Sequence, residues 1–466
     1  MTLKRHGLIR PVRAGRASLS ILSLVLAASI VSLAGCSQPP RLDSNESRIV
    51  ADARSIAAEI EVERLEDGGL LLNGKLEDRQ FALAIPRNWN RQAMLFAHGY
   101  SIPGSSIRVA DNPIEDDDFG VLSTPYKQGF AVGHSAYDKS GMGVQSGVTN
   151  TYRLKRFVES LGATRVYLSG GSMGANIVIA LIEKYPQDFA GALAACGVTG
   201  DWDSEIGRLV DLRAAYNHFT QGTKYELPGE KDLSRSALAT PSSSGILKPV
   251  ASARRFLQIK RIADPVLAVF AAAEADPSGP EARIIDNIAA VTGAEKDVAS
   301  FGIPLVTVAL GMDDLNATFG GTVYDNTDKQ YLSAHLTAEE NAALNAAIQR
   351  TPPAESAAVA KAEEWHTPRG RFQVPLISIF NEIDPLVPSN IHEPQLLTAV
   401  EQAGNIERLL QRSLPPKREK VPGTDAEGYV HCGFTKKQVA QAWNDLRGWV
   451  ETGIKPAGIS TTQNYQ

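Results

Sequence analysis

The sequence is poor in cysteine and in aromatic residues, and it lacks the spacings typical of metal sites. It has 3 cysteines in 466 residues, and aromatic residues make up 7 % of the chain, which disfavours a surface that stacks nucleic-acid bases. No His-x-x-His or Cys-x-x-Cys spacing occurs, so we expect no bound metal or cofactor. No internal repeat of fixed period is visible, which argues against a solenoid or a propeller.

An excess of positive charge is also absent. The chain has 47 basic and 52 acidic residues, a net charge of −5. The first 35 residues contain five of the basic residues and no acidic one, so the remainder carries 42 against 52, a net charge of −10. Such a surface is unsuited to binding phosphate backbones, and we expect no nucleic-acid partner. The 43 % hydrophobic and 21 % charged content is ordinary for a globular protein with a large core.

The N-terminal segment resembles an export signal. A basic start is followed by the apolar run "SLSILSLVLAASIVSLAG", which fits a signal peptide or an N-terminal membrane anchor. The run ends in "LAGC", which resembles the bacterial lipobox and implies cleavage before Cys36, lipidation of Cys36 and anchoring to a membrane. Ser37 follows, where an Asp would suggest inner-membrane retention. Residues 1–35 are therefore interpreted as a lipoprotein signal peptide, which places the protein at the outer membrane or periplasmic face if the source is Gram-negative. Residues 36–60 are interpreted as a polar tether.

Short apolar runs then alternate with helical patterns as far as residue 200. This alternation predicts an α/β fold, with a mostly parallel sheet covered by helices on both faces. Strands are predicted within 69–86 (two, around a turn), 93–100, 129–138, 166–171 and 189–197, and helices within 149–162 and 175–186.

The alternation stops in the middle of the chain. Residues 201–372 are richer in Ala, Glu and Asp and contain helical stretches such as "EENAALNAAIQR", and a buried strand returns in "VPLISIFNEIDPLVP". We therefore predict a helical cap inserted into the sheet before this strand. The predicted organisation is a first core part at 61–200, the cap at 201–372, a second core part at 373–455 and a tail at 456–466.

A serine lies at a sharp junction between a strand and a helix in "VYLSGGSMGANIVIAL". Residues 170–174 fit the G-x-S-x-G nucleophile elbow, in which a strained turn projects the serine from the sheet edge. A glycine-rich turn is the plain alternative, but the strand before and the helix after favour Ser172 as a nucleophile. Ser135, in "GHSAYD", also follows a strand but lacks the closing glycine and the helix.

A serine hydroxyl needs a base that accepts its proton and an acid that orients the base. The histidines after the elbow are His218, His335, His366, His392 and His431. A further strand is predicted within 406–415 and a last helix within 435–453, and only His431, in "EGYVHCGFT", lies between them. The acid is predicted to be Asp384, just beyond the buried strand in "FNEIDPLVP", with Glu382 as the alternative.

An oxyanion formed at the serine needs two backbone donors. The first is predicted to be the N–H of Met173, after the nucleophile. The second is predicted to be the N–H of Tyr100, at the end of "LFAHGY". His98 in that loop is interpreted as a scaffold residue rather than a base.

The elbow, the His-Gly loop, Asp384 and His431 together resemble the α/β-hydrolases over about residues 65 to 455. The resemblance implies a serine hydrolase that cleaves carboxylic esters through an acyl-enzyme. The pair formed by His431 and Cys432 also resembles tannase- and feruloyl-esterase-like enzymes, in which cysteines beside the nucleophile and the histidine are bonded. Here Gly171 precedes the serine instead, so their substrates do not carry over.

The α/β-hydrolase order suggests a partner for Cys432. The strand that ends at Cys196 would neighbour the nucleophile strand, and the His431 loop must fold back to the same edge. Outside the cytoplasm we therefore predict a disulfide between the two cysteines. Two buried free thiols are the alternative.

Other functions remain open from the sequence. A serine peptidase, a polyester depolymerase or an acyltransferase would use the same triad, and a non-catalytic binding lipoprotein would use none of it. The acidic stretch "DNPIEDDDFG" (111–120) is interpreted as a solvated loop, with a calcium site as the alternative. The sequence does not indicate the acid or alcohol part of an ester substrate.

Overall fold

A nine-stranded sheet forms the centre of the protein. The computed structural model describes residues 42–115, 119–240, 248–421 and 424–458, so Cys36 and the predicted signal peptide lie outside the described residues. The strands are β1 (Ala58–Arg64), β2 (Leu70–Leu76), β3 (Arg79–Ile85), β4 (Gln92–Ala97), β5 (Ala131–Ser135), β6 (Arg165–Gly171), β7 (Gly191–Ala195), β8 (Leu376–Asn381), β9 (Leu409–Leu414), β10 (Arg418–Lys420) and β11 (Glu427–Tyr429).

The sheet is antiparallel at one end and parallel in the rest. Its order is β1-β2-β3-β5-β4-β6-β7-β8-β9, while β10 and β11 form a separate hairpin. The neighbouring strands β1 and β2, β2 and β3, and β3 and β5 are antiparallel. Every neighbouring pair from β5 through β4 to β9 is parallel. The predicted α/β-hydrolase fold is confirmed: the sheet is mostly parallel, helices flank it, and a helical segment precedes β8.

Helices cover both faces of the sheet, which explains why its inner strands are apolar on both sides. The side chains of α1, α3 and α4 share one buried cluster with the sheet, and those of α2 and α12 share the other. The helices are α1 (Ser44–Ile56), α2 (Ser123–Lys127), α3 (Val144–Ser160), α4 (Met173–Lys184), α5 (Trp202–Thr220), α6 (Lys248–Ala275), α7 (Pro280–Thr292), α8 (Val298–Phe319), α9 (Ala338–Ala347), α10 (Ser356–His366), α11 (Ser389–Gln402) and α12 (Lys436–Thr452).

The prediction of a polar tether over 36–60 is wrong for its described part. Helix α1 forms there because Asp43 and Glu46 make a reciprocal capping box at its start. Ile49 and Ala53 are 2 % and 0 % exposed, so one stripe of the helix packs into the core. The stripe consists of only three buried apolar residues, Ile49, Val50 and Ala53, among polar and charged ones, which is why the composition resembles a linker.

The segment predicted to be the cap is helical. Between β7 and β8 the described residues form α5 to α10 and no strand. The helix α8 is long and apolar enough to span a membrane by length and composition, but 67 % of its most apolar window is buried in the protein. Packing inside the cap therefore accounts for the apolar character of α8.

Candidate active site

Ser172 lies at the turn between β6 and α4 in a strained backbone conformation. Its φ is 55° and its ψ is −127°, which a non-glycine residue rarely adopts, and its N–H donates to Ala195 O at 3.0 Å. A Cβ on Gly170 would lie 2.3 Å from Gly174 O, and a Cβ on Gly174 would lie 2.0 Å from Ala97 O. The two outer glycines of the motif are therefore required by the close approach of strand and helix.

Asp384 accepts hydrogen bonds through both carboxylate oxygens. His431 Nδ1 lies 2.8 Å from Oδ1 and 2.9 Å from Oδ2. The N–H groups of Leu386 and Val387 donate to Oδ1, each at 2.9 Å, and the N–H of Cys432 donates to Oδ2 at 3.0 Å. The turn after β8 thus fixes the carboxylate, and the carboxylate fixes the imidazole.

The two side chains shift each other's pKa in opposite directions. Burial acts to lower the pKa of His431, but the charge and hydrogen bond of Asp384 outweigh it and raise the pKa above its usual value. Burial acts to raise the pKa of Asp384, but the charge and hydrogen bond of His431, with two backbone donors, lower it. Asp384 is therefore ionised near neutral pH and holds the proton on Nδ1, which leaves Nε2 as the basic nitrogen.

The predicted disulfide between Cys196 and Cys432 is present in the structure, with a Cα–Cα distance of 5.2 Å. A Cβ on Gly171 would lie 4.0 Å from Cys196 Sγ, and Cys432 Sγ lies 3.5 Å from His431 Nε2. The bridge therefore links the immediate surroundings of the elbow to those of the histidine.

The described residues include no hydrogen bond between Ser172 Oγ and His431 Nε2 in this conformation, in which Nε2 faces the Cys432 sulfur. Such bonds are often long or absent in free hydrolases and form when substrate binds. The structure thus brings His431 and Asp384 into direct contact, and Ser172 follows β6 at the same edge of the sheet as Asp384 follows β8.

The alternative acid, Glu382, and the histidines His392 and His366 do not take part in the contact between His431 and Asp384. The side chain of Glu382 is exposed, whereas His392 is buried against Glu205 at 3.0 Å. His366 lies 3.2 Å from a carboxylate oxygen of Glu183. In the described part of the chain, His431 is the histidine that contacts Asp384.

The two predicted oxyanion donors are the backbone N–H groups of Met173 and Tyr100. Within the described residues, neither the N–H of Met173 nor that of Tyr100 donates a hydrogen bond, so both could bind a ligand oxygen. A Cβ on Gly99 would lie 3.1 Å from Ser172 Cβ, which shows how closely this loop approaches the elbow.

His98 holds the shape of the loop after β4. Its ring stacks on that of Tyr137 with centroids 3.6 Å apart, and the Tyr137 hydroxyl donates to His98 O at 3.0 Å. Burial lowers the pKa of His98 to about 4, so the ring is neutral at neutral pH. These contacts support the interpretation of His98 as a scaffold.

Helix α8 contacts loops beside the elbow, which the sequence did not reveal. Asp314 accepts hydrogen bonds from Met142 N at 2.8 Å and forms an ion pair with Lys139 at 2.6 Å. The Tyr100 hydroxyl abuts Gly311, whose Cβ would lie 2.5 Å from it. The cap is therefore docked on the loop that carries Tyr100, one of the proposed oxyanion donors, and on the loop that contains Lys139 and Met142.

Helix α5 contacts the loop that follows β8 and contains Asp384. Arg208 pairs with Glu205 at 2.9 Å, and its guanidinium donates to Leu386 O, two residues after Asp384. Arg208 and Leu386 are 178 residues apart in sequence, so no local pattern could have indicated this contact.

The acidic stretch at 111–120 is only partly described, since 116–118 lie outside the described residues. Asp111 accepts hydrogen bonds from Gln80 at 2.6 Å and from Arg108 at 3.1 Å. Among the described residues, no group of three or more His, Cys, Asp or Glu side chains is arranged to hold a metal ion.

No family model matches the chain, and no curated protein matches its sequence. Among solved structures, feruloyl esterase B from Aspergillus oryzae is similar, with 12 % identity, coverage of 83 % of this chain and 81 % of that chain, and a TM-score of 0.42. The cell wall degrading esterase LipA from Xanthomonas oryzae has 12 % identity, coverage of 86 % and 94 %, and a TM-score of 0.37. The serine hydrolase CCSP0084 from Cycloclasticus zankles has 10 % identity, coverage of 84 % and 98 %, and a TM-score of 0.37.

The chain has the α/β-hydrolase fold. This conclusion comes from its own architecture: an elbow between β6 and α4, a carboxylate after β8, and a histidine between the last strand and α12.

Proposed function

We propose that this protein is a serine hydrolase that cleaves carboxylic esters through an acyl-enzyme, with Ser172 as nucleophile, His431 as base and Asp384 as orienting acid. The observation that supports it best is the hydrogen bond between Asp384 and His431. The His431 ring also contacts the sulfur of Cys432, which is bonded to Cys196 at the end of the strand beside the elbow.

In the proposed mechanism, Ser172 Oγ attacks the ester carbonyl carbon while His431 Nε2 takes the serine proton. The carbonyl oxygen becomes an oxyanion and accepts hydrogen bonds from the N–H groups of Met173 and Tyr100. The tetrahedral intermediate collapses, the C–O bond to the alcohol breaks, and His431 returns the proton to the departing alcohol oxygen. Water then attacks the acyl-serine while His431 Nε2 takes its proton. When the bond between the acyl carbon and Ser172 Oγ breaks, His431 returns the proton to Ser172 Oγ and the carboxylic acid is released.

The nucleophile is tested with a fluorophosphonate probe and with p-nitrophenyl esters. We expect the probe to label Ser172, and Ser172→Ala to lower kcat roughly 10⁴-fold, since only binding and the oxyanion donors would remain. Ser135→Ala is the matched control, because Ser135 belongs to β5 and its hydroxyl donates to the backbone oxygens of Gln80 and Ala136. Near-normal ester turnover by folded Ser172→Ala protein would refute the proposal.

The substrate class is tested in the same assay. Ester hydrolysis that is faster than hydrolysis of matched peptide anilides supports an esterase, whereas the reverse supports a peptidase. Transfer of the acyl group to an added alcohol in preference to water would indicate an acyltransferase.

We also propose that the protein is exported and anchored to a membrane by lipid on Cys36. Support comes from the sequence "LAGC" and from the disulfide, since disulfides persist in oxidising compartments. Cys36→Ala should abolish incorporation of a labelled fatty acid and move the protein out of the membrane fraction. Labelled lipid that persists in this variant would refute the anchor.

A further inference from the structure

Asp297 is a buried carboxylate of the cap that bonds to the chain just before His431. It is 2 % exposed and caps α8, since its Oδ1 accepts from Ala299 N at 3.0 Å and Ser300 N at 3.2 Å. The same Oδ1 accepts from Tyr429 N at 3.1 Å, two residues before His431. One oxygen atom therefore accepts hydrogen bonds both from the cap helix α8 and from strand β11, which leads to His431, the proposed base.

The other oxygen of Asp297 faces the neighbouring strand of the hairpin. Arg418 lies opposite Tyr429 in the β10–β11 pair, and its guanidinium lies 2.9 Å from Asp297 Oδ2. The side chain of Arg418 is 45 % exposed, whereas that of Asp297 is 1 % exposed, so the guanidinium compensates the charge of a buried carboxylate. The contact through Oδ1 is the one that reaches the backbone of β11, two residues before His431.

The two sides of His431 are held differently. On the C-terminal side, Cys432 is fixed by the disulfide and by its N–H bond to Asp384. On the N-terminal side, Val430 N donates to Lys417 O at 2.9 Å. The position of the chain before His431 therefore depends on the β10–β11 hairpin, which packs against α8.

Strand β11 also packs so closely against α8 that a side chain at position 428 would clash with the helix. A Cβ on Gly428 would lie 2.7 Å from Ala299 Cβ and 3.3 Å from Asp297 Oδ1. The glycine thus permits the contact that brings the Tyr429 N–H to Asp297.

We propose that Asp297 is a positioning residue, through which the cap sets the place of the His431 ring relative to Ser172. This inference rests on the proposed function, in which His431 is the base. It makes the cap part of the catalytic machinery rather than only a cover that selects substrates.

The test compares the substitutions Asp297→Ala, Asp297→Asn and Gly428→Ala. Asp297→Ala and Gly428→Ala should each lower kcat by about 10- to 100-fold, because displacement of a reacting group by about 1 Å has an effect of this size. KM should stay within about threefold of wild type, since Asp297 is not proposed to touch substrate. Asp297→Asn keeps an acceptor at Oδ1 and should retain kcat within about threefold.

Thr337→Ala is the matched control, because Thr337 caps the cap helix α9 through its bond from Glu340 N at 3.2 Å. It should lower Tm by about 1–2 °C through its own lost cap but leave kcat unchanged. Equal kcat in Asp297→Ala and Thr337→Ala would overturn the inference, as would an Asp297→Asn enzyme as slow as Asp297→Ala. Failure of the proposed function is distinguishable, since the wild-type protein would then not react with the fluorophosphonate probe.

Discussion

Gly174→Ala is expected to damage catalysis through backbone displacement alone. The added Cβ would lie 2.0 Å from Ala97 O, 2.7 Å from Ala97 C and 3.0 Å from His98 O. Relief of the shortest contact needs a separation of more than about 1 Å, since non-bonded carbon and oxygen atoms pack at about 3.2 Å or more. The atoms that must move belong to the end of β4 and the start of α4, which carry the two proposed oxyanion donors.

The size of the effect follows from that displacement. A shift of about 1 Å in the donors should lower kcat by about 100-fold, while overpacking should cost about 1–3 kcal/mol of stability. The assay is steady-state hydrolysis of a p-nitrophenyl ester, with the free energy of unfolding measured in urea on the same preparations.

Gly171→Ala is the matched control in the same motif. Its Cβ would meet nothing nearer than Ala195 O at 3.9 Å, and the backbone of Gly171 lies outside the left-handed region. We therefore expect kcat within about threefold of wild type. The reasoning would be refuted if Gly174→Ala kept wild-type kcat, or if both variants were equally impaired.

Three further predictions concern the triad and the bridge. Because Asp384 raises the pKa of His431 and the base acts in its neutral form, kcat/KM should fall as pH decreases through a midpoint above about 6.5; a midpoint below that value in a pH–rate profile would contradict the assignment. Asp384→Asn should lower kcat far more than Glu382→Gln, because only Asp384 bonds to Nδ1, and the reverse ranking would move the role to Glu382. Replacement of both Cys196 and Cys432 by Ala should lower the free energy of unfolding in urea by up to about 5 kcal/mol in the chain-entropy view, given a separation of 236 residues; a loss below about 1 kcal/mol would show that the bridge adds little.

The sequence predicted those parts of the fold that have strong local patterns. The apolar run before the G-x-S-x-G motif became β6, and the pattern in 69–86 became β2 and β3. Glu77 and Asp78 at that turn both have positive φ, as a tight two-residue hairpin requires. The position of Asp384 after a buried strand could also be predicted from the sequence, because the strand is apolar and the loop that follows it contains prolines.

The parts that depend on distant contacts were not predictable. Helix α1 packs on the core through only three buried apolar side chains, and β10–β11 is a hairpin of three-residue strands that packs on α8. The N-cap role of Asp297 could have been inferred from its place before an apolar helix. Its second bond, to Tyr429, joins residues 132 positions apart, and no sequence period records such a contact.

The disulfide has a topological consequence beyond the active site. Its closed loop begins at the end of β7 and ends after β11, so it encloses the whole cap and the strands β8 and β9. A single proteolytic cut within the cap would therefore leave two polypeptides that are still covalently joined beside the elbow. On a gel, the nicked protein should migrate as one species without reductant and as two fragments with it. The strand of the serine and the loop of the histidine would remain in one molecule after the chain between them was broken.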